Sequence, residues 1–180
     1  MKIACNSGHF IGIDPGAVNQ TTLLEEANVN KVITTALCEY LRVSGHEVLY
    51  ISDNELDNIT TQSNQFSADL FISVHCNSFS NSSAQGTESW CYKFGGEGEK
   101  LANFINKEIV DSLTIVNRGI KEGNFYVLKH TDCPAVLVEC AFISNTHDEK
   151  LLSNSFDQKL FAHSIYLGIQ KYIKESNQGG

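Results

Sequence analysis

The segment Ala135–Ile143 places one carboxylate, Glu139, inside an otherwise apolar run, and this run constrains the fold more than any other stretch of the chain. Its length and β-branched content predict a buried strand. An unpaired charge in such a strand costs several kcal/mol, unless its pKa shifts until the group is neutral. Glu139 is therefore expected to face a metal, a cation or a substrate. Pairing with a buried Arg or Lys is the structural alternative.

The composition fits one globular domain and argues against two kinds of partner. The chain has 180 residues, of which 42% are hydrophobic and two are proline, enough to bury a core without disulfides. A net charge of −8 and the lack of a Lys/Arg run argue against nucleic-acid binding and against an anionic membrane surface. We predict a single domain over residues 1–175, a flexible tail over residues 176–180, and a monomer.

The six cysteines form no CxxC pair and no closely spaced framework. They are predicted to be reduced, buried thiols. Zinc ligation by one of them is the alternative, although no second cysteine lies nearby in the sequence to support it.

Strands and helices alternate along the chain, which predicts an α/β fold. The predicted strands are residues 2–5, 47–51, 69–76, 86–94, 125–129 and 135–142, and the predicted helices start at Thr22, within 52–67, at 97 and at 156. Two strand-to-strand steps indicate a mixed sheet with helices on both faces. The loops at the carboxyl ends of such strands collect the chemistry, and His9, His75 and Glu139 all lie there.

His9 and His75 are two candidate metal ligands, because each lies at the end of a predicted strand. A catalytic zinc commonly has three protein ligands, drawn from His and carboxylates, and leaves one position for water. The sequence has no HExxH, so the ligands would come from separate elements. The alternative for each histidine is a polar side chain that hydrogen-bonds the backbone.

The third candidate ligand is Glu25 or Glu26 at the start of the first long helix. Glu25 completes a Thr22-x-x-Glu25 capping box, which is a sufficient structural role. Glu26 has no capping role, and it shares a helix face with Asn30 four residues later. We therefore assign Glu26 as the ligand and Glu25 as the cap.

Six motifs in order carry a family resemblance: Gly8-His9, Glu26–Asn30, Ser73–Ser78, Gly86–Glu88, Asn117–Ile120 and Pro134–Glu139. Together they resemble the zinc-dependent N-acetylmuramoyl-L-alanine amidases known as amidase type 3, which include phage endolysins and bacterial cell-wall hydrolases. The likeness covers His9 to about Asn145. The family usually has Asp-Pro-Gly before its first histidine, where this chain has Asn6-Ser7-Gly8, although the later segment Ile13–Val18 does match.

The resemblance implies one Zn²⁺ per chain, held by His9, Glu26 and His75, with Glu139 as the catalytic carboxylate. It also implies a mixed, mostly parallel six-stranded sheet covered by helices on both faces. Asn77 and Arg118 are implied substrate contacts. For Arg118 the alternative is a surface arginine that fixes a turn.

The implied reaction is hydrolysis of the amide between N-acetylmuramic acid and the L-alanine of the peptidoglycan stem peptide, in cell-wall lysis or remodelling. A zinc peptidase that cuts within the stem peptide is one alternative, and a catalytically silent peptidoglycan-binding module is another. The apolar start of the chain ends at Asn6, too early for a signal peptide, and no membrane insertion is expected. We expect synthesis in the cytoplasm and release at lysis, or a domain of a longer secreted protein that acts on the wall.

Overall fold

A computed structural model describes residues 1–178 of the chain as strands alternating with helices. The elements are β1 (Lys2–Ser7), α1 (Glu26–Val43), β2 (Glu47–Ile51), α2 (Leu56–Gln65), β3 (Leu70–Asn77), β4 (Thr87–Cys91), α3 (Glu97–Leu113), β5 (Asn117–Glu122), α4 (Tyr126–Lys129), β6 (Ala135–Phe142), α5 (Thr146–Ser153) and α6 (Ser155–Ser176). Within residues 1–178 every helix is too short or too polar to cross a bilayer. Helix α6 ends at the first residue of the predicted tail, and residues 179 and 180 of that tail lie outside the described range.

The six strands form one sheet in the order β2-β1-β3-β6-β4-β5. All neighbouring strands are parallel except β4, which runs antiparallel to β6. The predicted mixed, mostly parallel sheet is therefore confirmed. Strands β3 and β6 lie at its centre, where both faces are buried, and this explains their nearly continuous apolar sequences.

The two faces of the sheet carry hydrophobic clusters of different size. Helices α1, α3 and α6 pack on one face and form the larger cluster. On the opposite face α2 and α4 contribute a smaller cluster, which includes Ile59, Val127 and Leu137. Burial of each such side chain contributes about 1.5 to 3 kcal/mol to folding.

Alternation along the two central strands decides which side chains reach the smaller face. His75 shares a face with Phe71, and Glu139 with Leu137, both members of the smaller cluster. Cys76 and Cys140 point to the larger cluster on the opposite face. All six cysteines are free thiols.

The fifth strand was predicted in the wrong place. Within the stretch 125–129, Tyr126–Lys129 form the short helix α4, in which Val127 and Leu128 are both buried, a pattern that a strand with one buried face does not produce. The strand is instead Asn117–Glu122, which was interpreted as an Arg-Gly turn. It is polar because it lies at the edge of the sheet, where one side of the strand faces solvent.

The predicted capping box at the start of α1 is also wrong. The helix begins at Glu26, with Glu25 itself at the N-cap position in an extended conformation and without a side-chain cap. The Thr22 hydroxyl instead donates to Glu149 of α5, a helix that the sequence analysis missed. The Glu25 carboxylate accepts a hydrogen bond from Asn28. Beyond the other end of α1, Gly45 has a φ of 83°, a left-handed conformation that is typical of a glycine that terminates a helix.

Candidate active site

Three side chains from separate elements meet where β1 and β3 end at the sheet's carboxyl edge. One donor atom each from His9, Glu26 and His75 lies within 4.8 Å of the others. His9 Nε2 is 3.3 Å from Glu26 Oε2, and His75 Nδ1 is 3.1 Å from Glu26 Oε1. The structure thus brings together the three residues that the sequence analysis proposed as ligands.

Two glycines make this convergence possible. His9 follows β1 in the left-handed region, with a φ of 62°, and this conformation turns its ring toward α1. A Cβ atom on Gly8 would lie 2.3 Å from the His75 ring, and one on Gly16 would lie 2.6 Å from the His9 ring and 2.7 Å from the Glu26 carboxylate. A side chain at either position would therefore displace one of the three groups.

Asp14 orients the His9 ring. Its Oδ2 lies 2.7 Å from His9 Nδ1, which leaves Nε2 directed at Glu26. The other oxygen, Oδ1, accepts a hydrogen bond from the backbone N–H of Gly16 at 3.0 Å. Such carboxylate partners fix the orientation of histidine ligands. Asp14 therefore orients His9 from the later segment Ile13–Val18, and its Asp14-Pro15-Gly16 sequence was the available signal.

The Glu26 carboxylate is held by backbone donors on both oxygens. Oε2 accepts from Ala17 N at 2.9 Å, and Oε1 accepts from Cys76 N at 3.0 Å and from the Asn30 amide at 3.3 Å. Burial raises the pKa of Glu26, but hydrogen bonds and charges from the two histidines outweigh it and hold the pKa well below its usual range. The hydrogen bond with Glu26 in turn raises the pKa of His9 to about 9.

The donor set fits a zinc ion. Two imidazoles and one carboxylate are common ligands of catalytic zinc, and two donors of one tetrahedral zinc lie about 3.3 Å apart. The nitrogen–oxygen distances of 3.1 and 3.3 Å, one to each oxygen of Glu26, bring both imidazoles to the same carboxylate. The buried carboxylate and the two imidazole rings, which are nearly perpendicular at 80°, form this arrangement from protein contacts alone.

Glu139 lies beside His75, its register partner on the neighbouring strand. The side chain lines the same cavity, and its Oε2 atom is buried without a hydrogen-bond partner among residues 1–178. Burial, with a contribution from the nearby Glu26 and Glu88 carboxylates, raises the pKa of Glu139 to about 7, although His75 opposes the shift. Within the described chain it has no ion pair with Lys or Arg, so the structural alternative for Glu139 is not supported.

Glu88 forms ion pairs with Arg118 and Lys121, whereas Glu139 pairs with neither. It lies opposite Glu139 in the antiparallel β4–β6 pair, and its Oε2 accepts from Arg118 Nε at 2.7 Å and from the Lys121 ammonium. The Asn77 amide donates to its Oε1 at 2.8 Å. Asn77 lines the catalytic cavity, whereas the Arg118 guanidinium is directed at Glu88 and packs over the Phe142 ring. Glu88 belongs to the Gly86–Glu88 motif, but neither its ion pairs nor the part of Lys121 in them could be predicted, because the partners of a residue on neighbouring strands are not adjacent to it in the sequence.

The cavity around these groups has a volume of about 440 Å³. One side is formed by the metal-ligand candidates and Glu139. The other side extends along α2 and α4 and is mainly apolar, with Leu56, Ile59, Phe125, Tyr126 and Leu137 in its walls. A groove of this kind holds an extended ligand across the carboxyl edge of the sheet.

A comparison with protein families gives one match over nearly the whole chain. The family described as N-acetylmuramoyl-L-alanine amidase matches residues 3–171. Uncharacterized protein YqiI of Bacillus subtilis is 36% identical over 178 residues, which cover 94% of this chain and 84% of YqiI. Probable cell wall amidase LytH of Staphylococcus epidermidis is 30% identical over 173 residues, which cover 95% of this chain. The chain spans 58% of the length of LytH, so it corresponds to one part of that relative.

A solved amidase structure has the same fold. The crystal structure of N-acetylmuramoyl-L-alanine amidase from Clostridium difficile 630 aligns with a TM-score of 0.88 at 28% identity and covers 96% of each chain.

Proposed function

The chain belongs to the N-acetylmuramoyl-L-alanine amidase family, and from this we propose that it is a zinc-dependent catalytic domain acting on peptidoglycan. The reaction is hydrolysis of the amide between the lactyl group of N-acetylmuramic acid and the L-alanine of the stem peptide. The observation that carries the proposal is the buried Glu139 Oε2 atom, without a hydrogen-bond partner among residues 1–178, beside the converging side chains of His9, Glu26 and His75. All these groups lie in one chain, so a single chain holds every residue of the proposed site.

The three converging side chains would hold one Zn²⁺. The ion would polarise the scissile carbonyl as a Lewis acid and lower the pKa of the attacking water. Asp14 fixes the His9 ring, and the Ala17 and Cys76 amides fix Glu26, so the donors are oriented before substrate arrives.

Glu139 moves the proton. Its carboxylate accepts a proton from the attacking water as the new C–O bond forms at the lactyl carbonyl carbon. It then donates that proton to the nitrogen of L-alanine as the C–N bond breaks, which leaves a lactyl carboxylic acid group and a free peptide amine. The position of Glu139 opposite His75, with one oxygen free of hydrogen bonds, supports both steps. Asn77, at the edge of the same cavity, would contact the substrate.

Mass spectrometry of digested muropeptides tests this function. Purified peptidoglycan treated with the protein should release peptides that begin with a free L-alanine. A cut inside the stem peptide would instead identify a zinc peptidase, and unchanged muropeptides would indicate a binding module without turnover. The Glu139→Gln variant is the matched control, because it keeps the size of the side chain and cannot accept the proton.

A further inference from the structure

A second cleft, of about 560 Å³, lies next to the catalytic cavity. The two meet at Ser78, which lines both, and at the Ala17–Val18 step, where Ala17 lines one and Val18 the other. Since Ser78 directly follows Asn77 at the end of β3, the second cleft opens beside the proposed catalytic groups.

The walls of this cleft differ in chemistry from the α2–α4 side of the catalytic groove. They are formed mainly by hydroxyl and amide side chains, and one aromatic ring, Phe79, is 60% exposed beside them. The opposite arm of the catalytic groove is lined by apolar side chains such as Leu56 and Ile59. A ligand that crosses both would therefore be rich in hydroxyls at one end only.

Hydrogen bonds hold the hydroxyl-rich cleft in shape. The Thr22 hydroxyl donates to Glu149 Oε1 at 3.1 Å, and the Phe79 backbone N–H donates to Ser144 Oγ at 3.0 Å. The Asn145 amide donates to the carbonyl of Ser82 at 2.7 Å. These contacts join the loop after β3 to the loop before α5, and the loop before α1 to α5 itself, so the cleft is formed without a ligand.

We propose that this cleft binds the glycan of peptidoglycan, with the sugar ring packed on Phe79, while the stem peptide follows the α2–α4 arm. The inference rests on the proposed function. Sugars offer many hydroxyl donors and acceptors for Ser, Thr, Asn and Gln, and an apolar C–H face for an aromatic ring. The lactyl group is attached to the muramic acid ring, so the sugar must lie within a few atoms of the scissile carbon. The opening at Ser78 meets that requirement.

Kinetics on two substrates with the same tripeptide test the assignment. One carries the N-acetylglucosaminyl–N-acetylmuramic acid disaccharide, and the other carries only the lactyl group. Phe79→Ala should raise KM for the disaccharide substrate about threefold to tenfold, the size of one aromatic packing contact. It should leave kcat unchanged and leave both constants unchanged for the lactyl substrate. Phe79→Tyr should behave like wild type.

Phe156→Ala is the matched control, because Phe156 is 71% exposed and lines neither cavity. It should change neither substrate's constants. An equal change of KM on both substrates in Phe79→Ala, or no change on either, would overturn the glycan assignment.

A binding measurement separates this inference from the proposed function. The disaccharide without peptide is titrated into the wild-type protein, and backbone amide chemical shifts are followed by NMR. Shifts centred on Phe79 and Ser80 are expected even if the protein cleaves no amide. Shifts centred on Leu56 and Tyr126 would place the sugar in the other arm and refute the proposal.

Discussion

Glu139 and Glu88 face each other across the β6–β4 pair, yet they occupy two regions of opposite character. Glu88 is hydrogen-bonded to Asn77 at the end of β3 and to Arg118 and Lys121 of the edge strand β5. Glu139 turns toward the histidines and keeps one buried oxygen without a partner within residues 1–178.

The comparison shows that partners, and not residue type, decide what a buried carboxylate can do. Burial raises the pKa of both groups. For Glu88 the Lys121 and Arg118 charges outweigh burial, and the pKa is lowered. For Glu139 no such cation is in contact, and the pKa rises to about 7. Glu88 is thus held as an anion, whereas Glu139 is able to gain and lose a proton near neutral pH.

The largest expected effect comes from removing a donor on the Glu139 side. His75→Ala should lose its bound zinc and its peptidoglycan cleavage, because two donors remain of the three that converge. Elemental analysis of purified protein measures the zinc. Glu25→Ala is the control: this neighbouring carboxylate makes no contact with the cluster, so zinc should remain, with at most about 1 kcal/mol of stability lost. Unchanged zinc in His75→Ala would remove the basis for the site.

The next effect concerns Glu139 itself. Glu139→Gln should keep its zinc and its melting temperature, while turnover falls roughly 10² to 10⁴-fold, the usual value of a positioned acid–base group. Muropeptide cleavage rates, zinc content and thermal unfolding are measured on the same preparation. A variant that is destabilised but fully active would mean that Glu139 has only a structural role.

The pH dependence of stability provides a further test of the difference between Glu139 and Glu88. It is measured on protein from which metal has been removed with a chelator. The pKa of Glu139 is about 7 in the folded chain and ordinarily 4.5, so between these values the folded state holds a proton that the unfolded state has released. Stability contributed by this group therefore falls as pH rises through that window. Relative to Glu139→Gln, the wild type should lose roughly 2 to 3 kcal/mol between pH 4 and pH 8. Chemical denaturation at several pH values tests this, and a pH-independent difference would contradict it.

The smallest effect is expected on the opposite side of the strand pair. Glu88→Gln leaves Arg118 and Lys121 without their carboxylate, but both side chains are about one-third exposed and regain water. The loss of unfolding free energy should therefore be about 1 to 2 kcal/mol, below the value for a fully buried pair. Turnover should fall by less than about tenfold, because Glu88 transfers no proton. A loss of turnover as large as that in Glu139→Gln would erase the distinction between the two carboxylates.

The parts of the fold that the sequence predicted well are those where burial dictates residue type. Strand β6 was predicted at its observed bounds, because both of its faces are covered and its sequence is nearly all apolar. Edge strand β5 was missed for the opposite reason, since Asn117–Glu122 carries little apolar signal. The apolar stretch 125–129 was read as a strand, and tertiary packing against α2 makes part of it a helix instead.

Some residues of the candidate site could likewise be predicted from the sequence, and others could not. His9, His75 and Glu139 could be found because strand ends are recognisable in the sequence. Glu26 was chosen correctly as the residue that meets the histidines, although the capping box used to set Glu25 aside does not form. The roles of Asp14 and Glu88 depend on the loop conformation and the strand register that bring their partners close. No local sequence pattern predicts these two features.

Gly8 and Gly16 enlarge the mutational target of the site beyond the residues that do chemistry. Neither has a side chain to donate, yet any substitution at Gly8 would push into the His75 ring, and any at Gly16 into His9 and Glu26. In a library of random variants selected for wall lysis, these two positions should tolerate as little change as the histidines themselves. The site therefore depends on two residues that contribute no functional group, because the absence of a side chain at Gly8 and Gly16 leaves room for the three converging side chains.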